Sequence, residues 1–187
     1  MSLLSLPPVR RVLTAIDDDG ASYLAEDGPS PAEFAFPGTP FRSTNIWRTA
    51  AAPSPVEASD DITEHRGVLP PVGGSVLRVI DFPPQQGTRA EQAELAKQVF
   101  AALYPDATHH AGSERSAGMH VTDTVDYAIV LAGEIVAVMD RDETLLKAGD
   151  ILVQRGTNHS WENRSDAMAR VAFVLIDGTR GGVSARR

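Results

Sequence analysis

From Tyr127 to Ile176 the chain passes through a series of short β-prone runs separated by turns, and this spacing constrains the fold more than any other feature. Residues 127–131 and 135–139 flank the tight turn Ala132-Gly133-Glu134. Residues 144–147, 151–154, 160–163 and 170–176 follow at short intervals, with Gly, Asp and Asn between them. A succession of such runs predicts an all-β sandwich or barrel.

Alternation assigns faces within this region, because side chains two apart on a strand share a side. Positions 120, 122, 124 and 126 are His, Thr, Thr and Asp, whereas 119, 121, 125, 127, 129 and 131 are Met, Val, Val, Tyr, Ile and Leu. One face is polar and chemically capable. The other is apolar and needs a cover, either the N-terminal arm or a second copy of the chain.

The N-terminal half is less regular. Residues 9–24 predict a hairpin turning at Asp17-Asp18-Asp19-Gly20. Residues 25–42 hold four prolines with Phe34, Phe36 and Phe41, a mixture suited to an arm laid over a surface. Residues 44–49 predict a strand carrying Trp47, and 50–72 a long loop with His65 exposed among charged neighbours. Residues 75–82 predict a strand ended by Pro83-Pro84, and 88–104 one helix with an apolar stripe including Val99, Phe100 and Leu103. The expected organisation is one structural domain, with residues 1–74 as arm and hairpin packed on a barrel of residues 75–187.

At 187 residues the chain can bury a single core. The absence of cysteine excludes disulfides, thiolate nucleophiles and Cys-based zinc or iron–sulfur sites. A net charge of −8 argues against a nucleic-acid surface. The basic residues near the ends (Arg10, Arg11, Arg180, Arg186, Arg187) read as solvated termini. No run approaches the ~20 apolar residues of a membrane span, and the first eight residues are too short and Pro-broken for a signal segment. A cytoplasmic location is the default expectation.

His120 and His159 each stand beside a predicted hairpin, and Asp126 follows His120 by six residues. Two imidazoles and a carboxylate are the side chains that hold a transition metal with open positions. They are equally sufficient for acid/base chemistry without one.

The two stretches resemble the paired motifs of the cupin superfamily. Its first motif reads G-x5-H-x-H-x3,4-E-x6-G; here His120-x-Thr122-x3-Asp126-x6-Gly133 keeps the spacing from the first histidine on. Thr122 stands for the second histidine and Asp126 for the glutamate. The second motif reads G-x5-P-x-G-x2-H-x3-N; here Gly156-x2-His159-x3-Asn163 matches, with Gln154 in place of proline. The resemblance covers roughly residues 75–178. It implies a double-stranded β-helix, or jelly-roll barrel, here with a Pro-rich arm and one short helix. Cupins include dioxygenases, isomerases, epimerases, decarboxylases, dehydratases, storage proteins and sensors, so the resemblance implies a fold and a cavity rather than one reaction.

Carried over residue by residue, the family's three-histidine, one-glutamate site leaves His120, Asp126 and His159 as ligands for a divalent Fe, Mn, Zn or Ni, and as the catalytic groups. Thr122, Trp161 and Tyr127 are the expected substrate-pocket residues, and His109 or His110 the loop residues able to supply a missing ligand. The expectation is a cupin enzyme, with a mononuclear metal, that oxygenates, isomerises or dehydrates a small cyclic or keto compound. Metal-free acid/base catalysis and non-catalytic ligand binding are the alternatives. A homodimer, with neither nucleic acid nor membrane as partner, completes the expectation.

Overall fold

The computed structural model describes residues 5–181. Residues 1–4 and 182–187, which include Arg186 and Arg187, lie outside the described residues. Thirteen strands and one α-helix follow in order: β1 Arg10–Ile16, β2 Ser22–Pro29, β3 Glu33–Ala35, β4 Arg42–Thr49, β5 Ser75–Phe82, α1 Arg89–Leu103, β6 Thr108–His109, β7 His120–Val121, β8 Thr124–Ala132, β9 Glu134–Met139, β10 Glu143–Lys147, β11 Ile151–Arg155, β12 His159–Glu162 and β13 Ala169–Asp177.

Two antiparallel sheets form the barrel, one ordered β10-β9-β12-β7-β6 and the other β11-β8-β13-β5-β4-β3. The register aligns their inward rows. On the larger sheet Val76, Leu175 and Asp126 fall in one row, and Arg78, Phe173 and Ala128 in the next. On the smaller sheet Ile135 and Ala137 point into the same core as Val130, Val171 and Leu175. These rows set the polar Asp126 and Arg78 among apolar inward side chains. Gly133 turns β8 into β9 with φ of +69°, and a Cβ there would lie 2.5 Å from the Met168 carbonyl oxygen. Only glycine fits both constraints.

Helix α1 begins at a complete capping box: the Thr88 hydroxyl accepts from the Glu91 amide while Glu91 reaches back to the Thr88 amide. It buries no residue fully, and Val99, Phe100 and Leu103 lean on the core.

The N-terminal segment contributes more than an arm. β4 pairs with β5 along its whole length, and β3 extends that edge, so barrel strands begin at Glu33 rather than at residue 75. The first hairpin, β1–β2, forms its own two-stranded sheet. Arg11 is not a solvated terminal residue: it is buried and paired with Glu26 and Asp60. Among the described residues no helix is long and apolar enough to cross a membrane.

Candidate functional site

Strand pairing places three histidines in a row. His109 on β6 opposes His120 on β7, and His120 opposes His159 on β12. The rings of His120 and His159 lie 4.2 Å apart between centroids, while His109 stacks on Phe100 at 4.2 Å. Each central ring is held from its own strand. His120 Nδ1–H donates to the Gly118 carbonyl at 2.8 Å, and His159 Nδ1–H to that of Thr157 at 2.9 Å. Because a carbonyl only accepts, these bonds fix the proton on Nδ1 and leave Nε2 as the lone-pair nitrogen. Burial pushes His159 down to about 4. Burial, then the adjacent His159, pushes His120 down to about 3. Both rings are therefore neutral at physiological pH.

Asp126 comes from the opposite sheet. It sits on β8 between Gln154 of β11 and Leu175 of β13, 4% exposed, with Oδ1 buried and without a hydrogen-bond partner. Burial raises its pKa to about 6, partly opposed by the Thr124 hydroxyl and by Arg78. Thr122 is buried and its hydroxyl bonds that of Thr124 at 2.8 Å. Gln154, at the position of the motif proline, pins the following turn by donating to the Thr157 carbonyl at 2.9 Å. Asn163 ties strand ends together, donating to the carbonyls of Phe82 and Ala167.

These groups surround one cavity of about 380 Å³, lined by His120, Thr122, Asp126, His159 and Trp161. Aromatic and aliphatic side chains such as Phe82, Phe100 and Leu175 make much of the remaining wall, and α1 closes one side through Leu95, Ala96 and Val99. Five of the six residues predicted from sequence therefore meet in one place. Tyr127 does not. It is 42% exposed on the outer face of β8, because odd positions of that strand point away from Asp126.

The donors do not fit a resident divalent metal. Among the described residues no three His, Asp or Glu side chains come together as a metal-holding group. Asp126 belongs to the sheet facing the histidine pair, and Thr122 offers only a neutral hydroxyl already bonded to Thr124. His109 Nε2–H donates to the Ala117 carbonyl at 2.9 Å, its ring stacks on Phe100, and it does not line the cavity. His110 sits exposed in the loop beyond β6.

Three buried groups on or behind the cavity wall escaped the motif reading. Arg78, on the inward face of β5, is 1% exposed and lines the cavity. Tyr104, at the C-cap of α1, lines it too, and its ring lies 5.1 Å from the guanidinium carbon. His65 is 3% exposed rather than solvated, and its Nε2 accepts from Arg78 at 3.2 Å. Burial, then Arg78 and Arg48, holds His65 down at about 4, which leaves that nitrogen free to accept. The available signal was Arg78 itself, a lone charge between Val76 and Ile80 at an inward position of an apolar strand.

The family model described as "Cupin domain" matches residues 108–176. A phomopsin biosynthesis cluster protein (C′) of Diaporthe leptostromiformis is 33% identical over 175 residues, covering 89% of this chain and 77% of the relative. The cupin-domain-containing oxidoreductase fogC of Aspergillus ruber is 26% identical, covering 94% of this chain and 75% of the relative. A solved cupin 2 conserved barrel domain protein from Salinispora arenicola CNS-205 aligns with a TM-score of 0.40 and 14% identity, over 74% of this chain and 76% of the other. The chain belongs to the cupin superfamily.

Proposed function

We propose that this cupin is a small-molecule enzyme working by metal-independent proton transfer, an isomerisation or dehydration of a small, largely apolar keto or cyclic compound. The observation that carries the reading is the buried Asp126 carboxyl, with Oδ1 unpartnered in a mainly apolar cavity. A carboxylate kept from water near its own titration point is a matched general base at physiological pH. Asp126 would take a proton from carbon beside a carbonyl. In an isomerisation the same carboxyl returns it at another position; in a dehydration it goes to the departing hydroxyl, which leaves as water. The neutral imidazoles of His120 and His159 offer Nε2 to orient a substrate hydroxyl, while Trp161 and Phe100 exclude water. The test is turnover by Asp126→Asn and by chelator-treated wild type. Loss of activity in the variant, with no loss on chelation, is expected; the opposite pattern would reject the reading.

The name of the fogC relative favours a second reading, oxidation. Oxidation requires an electron acceptor, so turnover under anaerobic conditions without added acceptor separates the two. A second copy of the chain is the proposed cover for the outer face of the larger sheet, where Tyr127, Leu131, Ile151 and Val153 are exposed.

A further inference from the structure

Arg78 has five N–H donors, as every arginine does. Nε donates to Asn45 Oδ1 at 2.8 Å, and Nη2 to the Gly67 carbonyl at 2.6 Å and to His65 Nε2 at 3.2 Å. Nη1 is buried and has no partner. None of the three acceptors is a carboxylate, and His65 is neutral. Asp106 and Asp126 act on Arg78 only through space. Asp106 accepts from the Val68 and Leu69 amides instead, at 2.7 and 2.9 Å. The result is a guanidinium almost wholly removed from water without a bonded counter-charge, an arrangement that is costly unless something supplies the charge.

The Tyr104 hydroxyl, beside the same guanidinium and near the Ser43 side chain, is also buried and makes no well-aligned hydrogen bond. Both residues line the cavity that holds Asp126. Arg78 and Asp126 point inward from the same sheet with β13 between their strands, which sets the two strands about 10 Å apart at the usual inter-strand spacing. Nothing in the chemistry assigned to Asp126 uses Arg78 or Tyr104.

We propose that Arg78 and Tyr104 form an anion-binding subsite, and that the ligand of this cavity is a small hydrophobic carboxylic acid. One carboxylate oxygen accepts from Arg78 Nη1–H and from the Tyr104 hydroxyl. The hydrocarbon part lies among Phe82, Phe100 and Leu175, which places a carbon removed from the carboxylate near Asp126. Neither polar atom is open to bulk water, so the ligand reaches them by displacing the Tyr104 side of the wall. That side is carried by a helix with no fully buried residue. This deepens the proton-transfer reading by naming its substrate class and rests on the same cavity.

The test is calorimetric binding of 3-phenylpropanoate and its uncharged isostere 3-phenylpropanamide to the full-length protein. Phenylacetate and octanoate serve as further acids of similar bulk. At least one acid is expected to bind about tenfold or more tightly than its amide, a preference of about 1.4 kcal/mol. Arg78→Lys should lose most of that preference. Arg78 also ties β4 to the 65–67 loop, so a variant that fails to fold is replaced as evidence by Tyr104→Phe. That change removes only the hydroxyl beside Arg78 and Ser43, and it should weaken the acid severalfold while leaving the amide unchanged. Equal binding of acid and amide, no binding of any of the three acids at millimolar concentration, or a preference left undiminished by Tyr104→Phe would overturn the proposal. The two readings fail separately. Acid preference with Asp126-independent turnover sinks only the proton-transfer reading, and Asp126-dependent turnover without acid preference sinks only the subsite.

Discussion

Replacing Asp126 by asparagine separates the two consequences of burying a carboxyl group with one oxygen unpartnered. Its folded-state pKa of about 6 stands about two units above that of a free aspartate. Each unit is worth about 1.4 kcal/mol, so ionised Asp126 costs the folded protein about 3 kcal/mol at neutral pH. The pH dependence has a definite sign. Below about pH 4 the carboxyl is protonated in both folded and unfolded chains and the cost is absent; as pH rises through about 6 that advantage is lost. Urea denaturation of wild type and Asp126→Asn between about pH 4 and about pH 8 reads the difference. The variant should gain up to about 3 kcal/mol relative to wild type across that window, while turnover falls by about 10²–10⁴-fold. A stability difference that stays flat over the whole range would refute the claim that Asp126 is a desolvated acid, whatever its absolute size.

Other consequences are open to simpler measurements. Ile135→Ala, at a fully buried core position, should cost about 2–5 kcal/mol in chemical denaturation. Gly133→Ala forces a side chain into positive φ against the Met168 carbonyl, and should cost about 1–3 kcal/mol, read as a lowered melting temperature. Wild type should sediment as a dimer at micromolar concentration, and Ile151→Glu with Val153→Glu, on the exposed sheet face, as a monomer with unchanged circular dichroism. A monomeric wild type would reject the proposed role of that face.

Much of the barrel was legible because short strands with a clear period and glycine-rich turns leave strong local signals. β8 to β13 fall where alternation and turns put them, and the Thr88 capping box marks the start of α1. The same alternation turns Asp126 inward and, followed strictly, turns Tyr127 out. β4 was harder to assign to the core, because its buried residues Ser43, Thr44 and Asn45 are polar and show no apolar period. β6 and β7 are two residues each, too short for any period, yet they align His109 with His120. Motif spacing located the histidine pair but carried no information on reach, and among the described residues no three His, Asp or Glu side chains come together as a metal-holding group. Arg78, Tyr104 and His65 lie far apart along the chain and meet only through the pairing of β4 with β5 and the return of the 65–69 loop onto Asp106.

The most direct test of a metal-independent site is elemental analysis of the untagged, purified protein alongside a His159→Ala variant. The predicted result is transition metal far below one equivalent per chain in both proteins. One full equivalent of Fe, Mn, Zn or Ni in the wild type, lost from a His159→Ala variant that remains folded, would contradict it.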